Sequence, residues 1–446
     1  MNANIQEKYR YIIYAILLIA FSIVNITENG TISVLVWVLM IIWVLFNGNS
    51  NDSYLIYFLI PNLNILNVSD AIPSPINLLM MLIGLKYLLT RQGVGKRARK
   101  LVFYGKINDK ILISGMVILL IEIMHFACYK SVATLLFNAL NMAIDTIFFI
   151  YFFTDGDEQA WSINIEALSF GIIISFIVNI VAAPNLISYI FASNYRLEAY
   201  ANDPNYYSMY IIIALIAIFR KVEKGVGKKY INYSLILILS LLGLLTSSKM
   251  CILCLAVIYL IFFISSFNLK YGKRYRFLFV IVPIAVVAIS TMWEKISLLI
   301  NKVFLRFFLQ ADSLNFNAIT SGRSEIVQDY LQKLDSDMGL LLFGKGIDYN
   351  IYFSNNGDII NVVHNTYMDI LLSWGILGTI VFLIIIYIIL KNRIKIKGKT
   401  IFDLLGIIMF MAMLFALSCF SADMFWFLLA LNLIPLKKIR DQQYEK

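Results

Sequence analysis

The chain has 446 residues, of which 60% are hydrophobic and only 14% charged, and its formal net charge is +10. A soluble protein of this length has too little interior for so much apolar surface, so lipid is the expected solvent for most of it. The positive balance does not point to nucleic acid, because the cations sit in short clusters between apolar runs and form no continuous basic stripe.

The start of the chain is short and mixed in charge (Glu7, Lys8, Arg10) and leads into an apolar run with no small-residue cleavage site, so no cleavable signal is expected. A spanning helix needs about 20 mainly apolar residues, with roughly 17 tolerated. Lipid offers backbone groups no partners, and the apolar runs are continuous rather than alternating, so the expected fold class is all-α. Candidate spans lie at 11–27, 31–47, 53–68, 75–90, 111–128, 131–153, 160–182, 207–219, 231–247, 249–267, 277–293, 366–390, 401–420 and 424–437. The sequence thus predicts one polytopic transmembrane helical bundle over 1–446 with about 14 spans. Pro61 and several asparagines interrupt the third span, which with the last is the weakest.

Four basic clusters, at 91–110, 220–229, 268–276 and 391–399, thread to the same side as both termini. By the positive-inside rule that side is the cytoplasm, with both termini inside. The long polar interval 294–365 falls on the opposite side, with six basic and eight acidic residues. It reads as an outer loop subdomain and as the lid over an active site. The cysteines, Cys251-x-x-Cys254 included, lie in or beside apolar runs and read as packing.

Four outer features carry chemistry. The first is Arg196, followed by Asn202-Asp203-Pro204-Asn205, a turn suited to capping a helix and aiming its N-terminus at an anion. The second is the tight turn Thr246-Ser247-Ser248-Lys249 with its single cation. The third is Gly322-Arg323, where a guanidinium suits phosphate oxygens. The fourth is Phe343-Gly344-Lys345-Gly346, leading to His364-Asn365-Thr366-Tyr367 where loop meets membrane. His364 titrates in the range a general base needs. His125 reads as structural. Asn138, Asn141 and Asp145 share a helical face, and with Glu166 and Asp403 they read mainly as bonds between helices, a transport pathway being the rival.

In this order the features resemble the Wzy-type O-antigen and capsule polymerases and the related O-antigen ligases. The match covers roughly 190–380 and ends on Gly375-Ile376-Leu377-Gly378 in the following span; Lys249 stands where the family has arginine. The resemblance implies a glycosyltransferase that moves a growing glycan from undecaprenyl pyrophosphate onto a lipid-linked repeat unit outside a bacterial plasma membrane. His364 and Arg323 would be catalytic; Arg196, Lys249, Asn202, Asp203, Asn205, Asn365 and Tyr367 would hold pyrophosphate and glycan. With cations in the metal's role and no Asp-x-Asp-type cluster, no metal or cofactor is expected. The implied partners are the bilayer, the lipid-linked oligosaccharide, a chain-length regulator and a flippase of the same pathway. A ligase passing the glycan to lipid A core shares the signature. A lipid-linked oligosaccharide flippase would use Asp145 and Glu166 instead, and a cell-wall polymerase of the shape and division family fits the motif order less well.

Overall fold

A computed structural model describes residues 3–46, 52–66, 75–90, 158–192, 195–266, 323–347, 363–395 and 401–419, with single positions at 117, 120, 121, 123–125, 297, 349, 350, 353, 425, 427–429 and 431. All regular structure among these residues is helical. In chain order the helices are α1 (Ala3–Thr27), α2 (Gly30–Phe46), α3 (Ser53–Leu59) running on as a 3₁₀ helix (Ile60–Leu66), α4 (Pro75–Thr90), α5 (Glu158–Ala182), α6 (Leu186–Ala192), α7 (Pro204–Lys224), α8 (Lys229–Leu245) and α9 (Lys249–Ser266). Then come α10 (Arg323–Ser336), α11 (Met338–Phe343), α12 (Thr366–Lys395) and α13 (Ile401–Met413), which ends in a 3₁₀ turn (Leu414–Ala416).

Four helices are long and apolar enough to cross a membrane: Tyr9–Thr27, Ala160–Ala182, Pro204–Lys224 and Thr366–Ile388. Six shorter apolar helices accompany them: Gly30–Phe46, Ser53–Leu66, Pro75–Gly84, Lys229–Leu245, Lys249–Ser265 and Ile401–Ala416. The expected count of about fourteen full spans is therefore not reached among the described residues. Most of the remaining apolar helices are shorter than a full span: Lys229–Leu245, with 17 residues, covers about 26 Å. The expected spans at 111–128, 131–153, 277–293 and 424–437 lie almost wholly outside the described residues.

Burial runs opposite to that of a soluble protein. Ile12, Ile16, Ile19, Ile23 and Ile26 of α1, and Val34, Leu35, Val38, Leu39 and Ile42 of α2, form continuous exposed apolar faces. Faces of that extent fit a helical membrane protein. Inside, α3 and α7 are the central elements, buried from Asp52 to Asn62 and from Tyr207 to Lys221. Tyr14 of α1 stacks on Phe58 of α3, with ring centroids 4.6 Å apart.

Pro61 explains the weak third span. It ends α3 and tightens the chain into the 3₁₀ helix, and side chains answer the carbonyls this disturbs. Asn62 Nδ2 donates to Phe58 O and Gly171 O, each at 3.0 Å, and Ser175 Oγ donates to Pro61 O at 3.0 Å. Irregular backbone at membrane depth is tolerated where surrounding protein supplies replacement partners of this kind.

One end of the bundle collects charge. Lys86 of α4 pairs with Asp52 at 2.7 Å, and Lys221 of α7 with Glu166 of α5 at 2.6 Å. Asp403 of α13 pairs with Arg220 and lies 3.7 Å from Lys224. The guanidinium of Arg220 also sits 4.5 Å from the ring centroid of Trp161. This corrects the reading of 220–229 as a solvated basic loop: Arg220, Lys221 and Lys224 belong to α7, and the first two are buried. Glu166 and Asp403 bind helices together, as expected. Asn138, Asn141 and Asp145 lie outside the described residues.

Candidate functional site

The opposite end of the bundle gathers the sequence features. Asp203 is the N-cap of α7: its backbone is extended and its carboxylate accepts the Asn205 N–H at 2.5 Å, with Pro204 in the first helical position. This is the capping chemistry the turn was expected to provide. Asn205 is buried, and its Oδ1 accepts from Ser248 Oγ at 2.8 Å and from Arg196 Nη2 at 3.3 Å. Arg196 Nε donates to Thr246 O at 3.3 Å, and Leu197 N–H donates to Leu245 O at 3.2 Å. Ser208 Oγ donates to Thr246 Oγ1 at 2.9 Å. The first two features are thus one structure, a half-buried guanidinium held between the start of α7 and the turn joining α8 to α9. Lys249 follows Ser248 as the first residue of α9, and Asn202 is exposed just ahead of the cap.

His364 enters from the other side. Asn365 caps α12, its Oδ1 accepting from Tyr367 N–H at 3.0 Å and Met368 N–H at 3.3 Å. Three contacts fix this corner to α13 and the segment after it: Asn365 N–H to Ser418 Oγ at 3.2 Å, Thr366 Oγ1 to Leu417 O at 2.6 Å, and Tyr367 hydroxyl to Met411 O, within α13, at 2.7 Å. The Tyr206 hydroxyl of α7 donates to Ser418 O, so the same segment bridges the starts of α7 and α12. The Asn365 carbonyl oxygen of the side chain and the Tyr367 hydroxyl, both expected to contact substrate, are engaged in capping and anchoring.

This bridge brings Asp203, Arg323 and His364 into one electrostatic neighbourhood. Burial holds the His364 imidazole below its ordinary pKa, the charge of Arg323 lowers it further, and Asp203 opposes both. Burial also lowers the Arg323 guanidinium, and Asp203 counteracts it. Arginine stays charged despite such shifts, so the site presents a cation beside a neutral imidazole near pH 7. Arg323 opens α10 as its first residue; Gly322 lies outside the described residues.

Backbone strain concentrates here. Ala199, Asn202, Ser247 and His364 have positive φ without being glycine; among the described residues the one other example is Glu28. Conformations of that kind cost of order 1–3 kcal/mol and cluster at functional loops.

The glycine features pack on each other. Lys345 N–H donates to Leu372 O at 2.9 Å and Gly346 N–H to Ser373 O at 2.8 Å, at the point where Gly375 breaks the helical geometry of α12. His125 Nε2 lies 3.0 Å from Gly344 O, a structural use of that histidine. Lys345 Nζ pairs with Asp337 at 3.1 Å.

Sequence reasoning missed Asp369. It is buried one turn after Asn365 and accepts the Tyr349 hydroxyl at 2.5 Å, bracing the His364 corner from behind. An acidic residue in the first turn of a helix looks like ordinary dipole pairing; the signal available was a carboxylate at the start of an apolar span. Among the described residues no group of three or more His, Cys, Asp or Glu is arranged to hold a metal ion.

No protein-family model matches this chain, and no curated protein matches it. The functional reading therefore stands on residues and geometry.

Proposed function

We propose that the chain is a polysaccharide polymerase of the Wzy type, working at the outer face of a bacterial plasma membrane with both termini in the cytoplasm. It transfers a growing glycan from undecaprenyl pyrophosphate to the terminal sugar of a lipid-linked repeat unit. The acceptor hydroxyl oxygen bonds to the anomeric carbon, the bond from that carbon to the pyrophosphate oxygen breaks, and the hydroxyl proton passes to His364. Arg323, Arg196 and Lys249 stabilise the negative charge gathering on the departing diphosphate, a task for preorganised cations shielded from bulk water. Asp203 and Asn205 hold those cations in place, with Asn202, Asn365 and Tyr367 shaping the mouth of the site. No metal is needed for this step.

One observation carries the reading. Arg323 and Asp203, both distant from His364 in the chain, act electrostatically on its imidazole, at the end of the bundle where Asn205 accepts hydrogen bonds from Arg196 and Ser248. A cation for phosphate beside a neutral base suits glycosyl transfer from a lipid diphosphate.

The test is purified protein in vesicles with synthetic undecaprenyl pyrophosphate-linked repeat units. A ladder of lengthened products is expected, and His364→Ala should reduce its rate by roughly 10²–10⁴-fold. Arg323→Ala should also abolish the ladder while the protein stays folded. Transfer only to lipid A core would make the protein a ligase. Translocation of the repeat unit with no new glycosidic bond would make it a flippase and end the proposal.

A further inference from the structure

We infer that α11 is a re-entrant helix whose exposed face lies in the hydrocarbon of the bilayer, not in water above it. The inference needs only the helical membrane make-up of the chain and does not rest on the catalytic reading.

The segment Met338-Gly339-Leu340-Leu341-Leu342-Phe343 contains no polar side chain. Leu340 faces inward, in a small core with Tyr330 and Leu334 of α10 and Met368 and Leu372 of α12. Met338, Leu342 and Phe343 face outward, at 68, 37 and 40% exposure. An outer loop meant for water would place polar groups there.

The level of α11 along α12 decides its surroundings. The carbonyl of Leu342 lies against Gly375, where an added Cβ would come within 2.3 Å of it. Gly375 is nine positions past Thr366 in a helix rising 1.5 Å per residue, so this contact falls about 13 Å along the span from its start. The outward residues of α12 just beyond, Ile376, Leu377, Ile380 and Leu383, are exposed and apolar. The face of α11 continues that surface.

The backbone chemistry agrees. Non-helical backbone at membrane depth survives only where protein supplies its hydrogen bonds. The break at Gly375 removes helical partners from the carbonyls one turn earlier. Leu372 O and Ser373 O are taken up by the N–H groups of Lys345 and Gly346, the two residues leading away from α11. Each irregularity satisfies the other. The two charges of the segment, Asp337 before α11 and Lys345 after it, meet at 3.1 Å. A lysine stem that reaches back to the start of its own segment draws both charges toward the water side.

Spin labels test this on the full chain in lipid vesicles. Cysteines replace Met338 and Phe343, with Gln328 on the exposed side of α10 as the aqueous reference and Leu383 of α12 as the lipid reference. The unsubstituted chain, labelled in parallel, gives the background. Power saturation compares collisions with oxygen, which partitions into hydrocarbon, and with a water-soluble nickel chelate. The expected oxygen-to-nickel ratio at 338 and 343 matches Leu383 and exceeds Gln328 several-fold, with the higher ratio at 343. A ratio like that of Gln328 overturns the inference, and so do low collisions with both reagents, which would mean a protein partner covers the face. Water-like ratios at Leu383 as well would remove the membrane reading along with it.

Discussion

At the level of single residues, His364 is the most informative position. Its imidazole is held below the ordinary value by burial first and by Arg323 second, while Asp203 pushes the other way. Removing each neighbour should therefore move the titration in opposite directions. Arg323→Ala is expected to raise the His364 pKa and Asp203→Asn to lower it further, read by NMR on ring-labelled histidine. The chain has two histidines, so His364→Gln assigns the signals. If His364 accepts the proton, turnover should fall on acidification along a limb centred below about pH 6.5, the ordinary imidazole value. In a conservative Arg323→Lys variant the charge remains and that limb should stay put. A limb that does not move to lower pH with Asp203→Asn would separate His364 from the chemistry. Arg196, Arg323 and His364 stood out in the sequence because cations and histidines are rare among apolar runs, and Asp203 because it opens an Asp-Pro helix start. The role of Asn205, accepting from both Arg196 and Ser248, was not, because a side-chain amide announces no partner until two turns meet.

Among elements, the docking of Leu342–Gly346 on Leu372–Gly375 shows what a glycine pattern encodes. Gly344 and Gly375 both have positive φ, and a Cβ on either would come within 2.3 Å of backbone atoms of the other segment. Gly225 has positive φ too, at the C-cap of α7, but a Cβ there meets nothing within 4 Å. Gly225 is left-handed helical, whereas Gly344 and Gly375, with ψ −162° and −167°, hold a conformation essentially reserved to glycine, so these two carry a larger conformational cost and a contact cost together. Gly225→Ala should destabilise by about 1–2 kcal/mol, the left-handed backbone penalty alone. Gly344→Ala and Gly375→Ala should each cost about 1–3 kcal/mol more, because their conformation suits alanine less and backbone on the opposite side cannot swing away as a flexible side chain does. Unfolding midpoints in detergent micelles, followed by helical circular dichroism, give the comparison; equal losses at Gly225 and Gly375 would mean that the two segments do not dock. The sequence showed two glycine turns but not that they touch, since no periodicity links a loop to the middle of a span.

For the molecule as a whole, hydropathy alone indicated a helical bundle, yet it misjudged the charges at its other end. Arg220, Lys221 and Lys224 follow an apolar run and look like a loop that water covers. In the fold α7 continues through them, and the partners that make burial tolerable come from α5 and α13, distant in the chain. Ion pairs of this kind join the central helix to two neighbours at one end while Asn205, Tyr206 and Ser208 join it to others at the opposite end. The Lys221–Glu166 pair tests the balance. Lys221 has no exposed side-chain surface and Glu166 retains 17%. Glu166→Gln leaves a buried ammonium without its counter-charge and should cost about 3–5 kcal/mol. Lys221→Met together with Glu166→Leu removes both charges and keeps the volume, so most of that loss should return, because the pair's attraction largely offsets its own desolvation. Lys229→Ala, on an exposed lysine, should stay within about 0.5 kcal/mol. A double variant as damaged as Glu166→Gln would show that the charges themselves hold α7 against α5, and would point to a polar requirement at this end beyond packing.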